Sequence, residues 1–161
     1  MTNRFVAYGV AGALLLTSNA WSQVVVTAPW ARVTVPGQEN GAAYMRIQSA
    51  SKAILLGAES PVANAAGIHE SKMDGEVMRM RAIAKLHLPA GKIVELRPGG
   101  YHLMLTGLKR PLNPGDVVQI QLKIEASDKS VRTVDVRAEV RDAPPGAPAG
   151  KGGGMPSLKM H

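Results

Sequence analysis

The segment VQIQLKIEASDKSVRTVDVRAEV, residues 118–140, contains two stretches in which apolar and polar side chains alternate. This period of two residues is typical of a β-strand that turns one face to a core and the other to water. The apolar positions are Val118, Ile120, Leu122 and Ile124 in the first stretch, and Val134, Val136, Ala138 and Val140 in the second. The segment therefore predicts two half-buried β-strands.

Seven further segments have the composition of short β-strands. They are residues 23–28, 41–48, 52–57, 65–71, 77–84, 92–97 and 101–106. Gly and Pro interrupt the chain between several of them, as at Pro98-Gly99-Gly100 and Pro114-Gly115-Asp116. No segment has the period of an amphipathic helix. Short strands at this spacing predict an all-β domain, either an antiparallel β-sandwich or a barrel.

The chain divides into three parts by composition. The basic residue Arg4 precedes an apolar stretch at residues 6–16, a pattern typical of a signal peptide, which we expect to span residues 1–22. A retained N-terminal anchor is the alternative, although the apolar stretch is shorter than the ~20 residues that span a membrane. Residues 23–141 are expected to form one monomeric domain without stable membrane insertion. Residues 142–161 are rich in Gly and Pro, so we expect a flexible, disordered tail.

The sequence contains no cysteine and has a formal net charge of +7. The lack of cysteine excludes a disulfide framework, and it excludes a blue-copper centre because that centre needs a thiolate ligand. The basic residues are scattered and aromatic residues are few, so nucleic acid is not an expected partner. The positive charge indicates an acidic partner surface or anionic envelope lipid, or it serves general solubility.

Methionine and histidine are concentrated between residues 68 and 105 and are interleaved with polar residues. The cluster comprises His69, Met73, Met78, Met80, His102 and Met104. Methionine normally fills irregular gaps in a core, so its appearance among polar residues is unusual. Thioether sulfur and neutral imidazole together suit Cu(I). The cluster therefore indicates copper binding.

The dipeptide Asp74-Gly75 lies between two strand-like segments and predicts a β-hairpin with a type I′ turn. If these two residues form the turn, His69 directly opposes Met80, and both side chains leave the same face of the sheet. Met73 and Met78 then emerge on that face as near neighbours. A longer loop would shift this register.

His102 and Met104 are separated by one residue, so they share one face of a second strand, while Leu103 and Leu105 point the other way. If this strand lies beside the hairpin, the four residues form one site of two imidazoles and two thioethers. This proximity is a hypothesis that alternation alone does not establish.

The spacing of the four residues resembles the H(M)-x10-M-x21-H-x-M motif of PCuAC-type periplasmic copper chaperones. The segments APWAR at 28–32, GAAYM at 41–45, VMRMR at 77–81 and LRPGGYHLML at 96–105 are also similar to that family. The resemblance covers residues 23–141 and implies a cupredoxin-like β-sandwich or barrel that binds one Cu(I) near its surface. It implies that the primary copper ligands are His69, Met80, His102 and Met104. Met73 and Met78 lie outside the motif and are expected to be neighbours or transient ligands.

The same resemblance implies a function in the periplasm. A protein of this family delivers copper towards the binuclear CuA centre of cytochrome c oxidase, often beside a thiol-bearing partner chaperone. A copper storage or tolerance protein without a dedicated acceptor is the alternative, and a structural or adhesive sandwich with an incidental Met/His cluster is another. An enzyme is not expected, because the sequence shows no nucleophile–base set, carboxylate pair or nucleotide-binding loop.

The C-terminal tail ends in three further soft or borderline ligands, Met155, Met160 and His161. It resembles the Met/His-bearing extensions of some family members, which implies auxiliary copper binding, including a second copper as Cu(II) through His161. The alternative is a disordered end that carries these residues by chance.

Overall fold

The computed structural model describes residues 23–146. Ten β-strands and no helix occur in this range. They are β1 (Val24–Arg32), β2 (Asn40–Ser49), β3 (Ala53–Glu59), β4 (Ala63–Asp74), β5 (Val77–Ile83), β6 (Leu86–Leu88), β7 (Ile93–Leu96), β8 (Tyr101–Leu108), β9 (Val117–Ala126) and β10 (Val131–Arg141). The all-β class predicted from the alternating pattern is confirmed. Since residues 23–146 contain no helix, they contain none that is long and apolar enough to cross a membrane.

All nine predicted strands are present, and most extend beyond the predicted bounds by a few residues. The tenth strand, β6, was not predicted because three residues are too short to display a period. The predicted signal peptide at 1–22 lies outside the described residues. So does most of the predicted tail, including Met155, Met160 and His161.

The strands close into a barrel. Eight of them pair in the cyclic order β4–β8–β7–β2–β1–β10–β9–β3, and a pairing between β3 and β4 completes the ring. β8 also pairs directly with β2, while β5 extends the sheet beside β4 and β6 beside β3. Most pairings are antiparallel, as predicted, but β1 runs parallel to β10 and β7 runs parallel to β8.

The barrel interior is filled by the apolar faces of the strands. In β9 the predicted inward positions, from Val118 to Ile124, are buried at every second residue, and β10 buries its own apolar face against them. Leu103 and Leu105 of β8 are fully buried in the same core. Burial of one leucine side chain contributes about 1.5–3 kcal/mol. The core therefore fixes which face of β8 is left for His102 and Met104.

Candidate metal centre

The antiparallel pairing of β4 with β8 brings the two predicted histidines together. His69 directly opposes His102, and Gly67 opposes Met104 in the same register. The centroids of the two imidazole rings are 5.9 Å apart, with an angle of 41° between the ring planes. The hypothesis that the second strand lies beside the hairpin is therefore correct.

The β4–β5 hairpin has a different register from the predicted one. Its two-residue loop is Gly75-Glu76, because Asp74 stays in the strand and pairs with Val77. Gly75 has a φ of 63°, which suits the first central position of a type II′ turn. The turn is therefore of type II′ and not of the predicted type I′. The Asp74 carboxylate also accepts a hydrogen bond from Arg79 Nε at 2.6 Å on its own face of the hairpin.

This shift changes the partner of Met80. The predicted His69–Met80 pairing is wrong: Met80 opposes Ser71, and His69 opposes Ala82. Since the shift is two residues, every side chain keeps the predicted face. Met80 therefore lies two residue pairs further from the barrel than predicted, on the same face as His69.

One cleft gathers three of the four predicted ligands. Its volume is about 460 Å³, and Met80, His102 and Met104 line it together with Met78. His69 is not part of its lining, although its ring lies against His102. The structure thus places the thioethers of two predicted ligands, the additional thioether of Met78 and one imidazole around a common space, with the second imidazole at its margin.

His102 is held as a neutral imidazole by its surroundings. Its side chain is only 4% exposed, and burial lowers the pKa of its imidazole below the usual value. The nearby His69 also lowers this pKa, whereas the hydrogen bond to Gly100 opposes both effects. Nδ1 donates this bond to the Gly100 carbonyl oxygen at 3.2 Å, which leaves the Nε2 lone pair free to bind a metal.

His69 has an unsatisfied ring nitrogen. Its Nδ1 is buried and has no hydrogen-bond partner among the described residues. An unpaired buried polar atom costs roughly 1–3 kcal/mol, and this cost is removed if the ring binds a metal ion or reorients towards one. A Cβ at the neighbouring Gly67 would lie 3.9 Å from His69 Nε2, so the absence of a side chain there leaves open space beside the ring.

Three features of the site were not predicted from the sequence. Tyr44 lies 6.4 Å from His102 between ring centroids and packs on Trp30 at 4.6 Å, so His102 has an aromatic backing. The other two are the Gly100 carbonyl and the gap at Gly67. Tyr44 belongs to the GAAYM segment, but only the folded register shows that its ring faces His102.

The exposure of the hairpin makes one side of the site open to water. Met80 is 51% exposed, whereas His102 is buried. Within residues 23–146 no three His, Cys, Asp or Glu side chains converge on a possible metal position. The side chains that line the cleft with His102 include the thioethers of Met78, Met80 and Met104, and thioether ligands favour a soft ion over zinc or magnesium.

The model of the family described as "Putative lipoprotein LpqE-like" matches residues 24–150. The chain belongs to the LpqE-like family. A relative from Leifsonia xyli subsp. xyli (strain CTCB07), "Putative lipoprotein Lxx21020", is 31% identical over 116 residues, which span 71% of this chain and 69% of the relative.

Solved structures similar to this LpqE-like chain include DR1885 from Deinococcus radiodurans in its Cu(I) form. The two share 32% identity with a TM-score of 0.57, over 78% of this chain and 83% of DR1885. The apo PCuAC domain from PmoF1 gives a TM-score of 0.61 at 22% identity, over 74% of this chain and 94% of that domain. The resemblance to PCuAC proteins that the motif predicted is confirmed, and the fold is that of a PCuAC domain.

Proposed function

We propose that this LpqE-like protein is a copper metallochaperone that binds one Cu(I) ion through His69, Met80, His102 and Met104. The observation that carries the proposal is the cleft where two thioethers meet a buried neutral imidazole, with a second imidazole against it. The similarity to DR1885, whose Cu(I) form has been solved, supports the choice of metal. The role is binding and transfer rather than catalysis.

The ligand set suits a carrier that must also release its cargo. Thioethers carry no proton, and His102 is already biased towards its neutral form, so Cu(I) binding needs little proton release from it. Met80 is half exposed on the edge strand β5, whereas His102 is buried in the barrel. An acceptor can therefore displace Met80 first and the buried imidazole last.

The family resemblance supports a proposal for where in the cell this transfer takes place. We propose export to the periplasm through the signal peptide at 1–22, which the lipoprotein description of the family supports. The proposed acceptor is the CuA subunit of cytochrome c oxidase, and a thiol-bearing copper chaperone is the proposed second partner.

The proposal predicts transfer of copper to the acceptor. Protein loaded anaerobically with one equivalent of Cu(I) is mixed with the apo CuA domain, and copper is measured in each protein after separation. We expect most of the copper in the CuA domain, and much weaker Cu(I) binding by a donor that carries His102→Ala with Met104→Ala. The control is His87→Ala, which removes an exposed histidine on β6. Copper that stays on the wild-type donor would instead support a storage or tolerance protein.

A further inference from the structure

Three methionines lie on one face of the β4–β5 hairpin and are unusually exposed. Met73 directly opposes Met78, and Met80 is two residues further along β5 towards the barrel. Their side chains are 61%, 58% and 51% exposed, respectively. Directly opposed residues have Cβ atoms roughly 4.5–5.5 Å apart, so the thioethers of Met73 and Met78 can reach one another.

The other face of the same hairpin carries the charges. Glu70 accepts hydrogen bonds from Arg81 at 2.8 and 2.6 Å, and Arg79 pairs with Asp74 at 2.6 Å. On the methionine face the remaining residues are Ser71, Ala82 and its partner His69. No carboxylate, lysine or arginine therefore lies on the methionine face of the paired hairpin strands.

The methionine face leads into the cleft described above. Met78 and Met80 both line it together with His102. Four residues of strand separate the Met73–Met78 pair from His69, a distance of about 13 Å along the hairpin at the usual strand rise. Met80 lies midway between them, so it can serve as a ligand on either side.

We propose that Met73, Met78 and Met80 form a second, weaker Cu(I) site through which copper enters and leaves the His69–His102 site. The inference rests on the proposed copper-carrier function. Copper remains Cu(I) throughout, because each step exchanges one neutral ligand for another: Met80 stays bound while Met73 and Met78 give way to His102 and Met104. The outer site consists of thioethers alone, without imidazole, so the inner site holds the ion more tightly.

The kinetic test uses the full mature chain with Met73→Leu and Met78→Leu together. Leucine has a similar volume but no sulfur, and both positions are exposed, so the fold is retained. We expect Cu(I) affinity at the inner site to stay within about twofold, while Cu(I) transfer to excess bicinchoninate slows by roughly tenfold. Val77→Leu, on the opposite face of the hairpin, is the control and should leave the rate unchanged. An unchanged rate in the double leucine variant would overturn the relay.

A second measurement detects the outer site directly. In the His102→Ala/Met104→Ala variant, with methionine methyl groups labelled with ¹³C, added Cu(I) should still shift the Met73 and Met78 resonances. If the Met73 and Met78 resonances do not shift, the proposal is contradicted, even if Cu(I) binds to Met155 and Met160 of the tail. Failure of the proposed function would look different: wild-type protein would then bind Cu(I) no more tightly than this variant.

Discussion

The two histidines of the proposed copper site differ in how their rings are held. His102 is fixed by a hydrogen bond to the Gly100 carbonyl and by the ring of Tyr44, whereas the buried Nδ1 of His69 is unsatisfied. The ring of His102, a proposed ligand, is thus already held in place by the protein itself. His69 gains most from metal binding, because coordination satisfies a ring that now has an unpaired nitrogen.

The gap at Gly67 is a residue-scale feature that can be tested by filling it. Gly67→Val places a branched side chain beside His69 Nε2 and opposite Met104. We expect Cu(I) affinity to fall by about tenfold, because the ring can no longer approach the metal freely. Competition titration with a Cu(I) chelator measures the effect. Ala65→Val, two residues away on the same strand, is the control, and an equal loss there would refute the role of the gap.

At the scale of elements, the faces of the hairpin were predictable but its pairing was not. A register shift of two residues leaves each side chain on the same face of the sheet. Met80 therefore lies on the face of His69 both with the predicted loop, Asp74-Gly75, and with the observed loop, Gly75-Glu76. In the observed loop Gly75 takes the positive φ, and Asp74 remains in the strand and pairs with Arg79. Neither is visible in the alternating pattern.

The turn before β9 makes the stability of the protein depend on pH. Asp116 accepts hydrogen bonds from Arg110 at 2.5 Å and from the Asn113 backbone N–H at 3.0 Å. The bond from Arg110 is the main cause that lowers the pKa of this carboxyl, and the Asn113 bond adds to it. Because the folded-state pKa is depressed, this stabilisation is complete above the unfolded-state pKa and is lost as pH falls through the folded-state value.

Asp116→Asn should therefore lower the free energy of unfolding at pH 7, and the difference from wild type should shrink below about pH 4. Urea denaturation at a series of pH values from neutral to about pH 3 measures both parts of this expectation. A difference that is the same at every pH would show that the carboxylate charge is not responsible.

At the scale of the whole molecule, the strand order of the barrel determines where the site is. The alternating pattern predicted the strands, and it correctly predicted that Leu103 and Leu105 are buried. It therefore also predicted that His102 and Met104 lie on the opposite face of β8. The strand order was not predictable, because it depends on long-range pairing that closes the ring between β3 and β4. Within that ring, the direct antiparallel pairing of β4 with β8 brings His69 and His102 side by side.

The proposed function requires that the ligands from β4, β5 and β8 act as one copper site. Anaerobic Cu(I) titration against a competing chelator tests it most directly, using wild type, His102→Ala, Met104→Ala and the control His87→Ala. We predict one tightly bound Cu(I) in wild type and in the control, with affinity lowered by about a hundredfold in the His102 variant and by a smaller factor in the Met104 variant. Unchanged affinity and stoichiometry in both site variants would contradict the account.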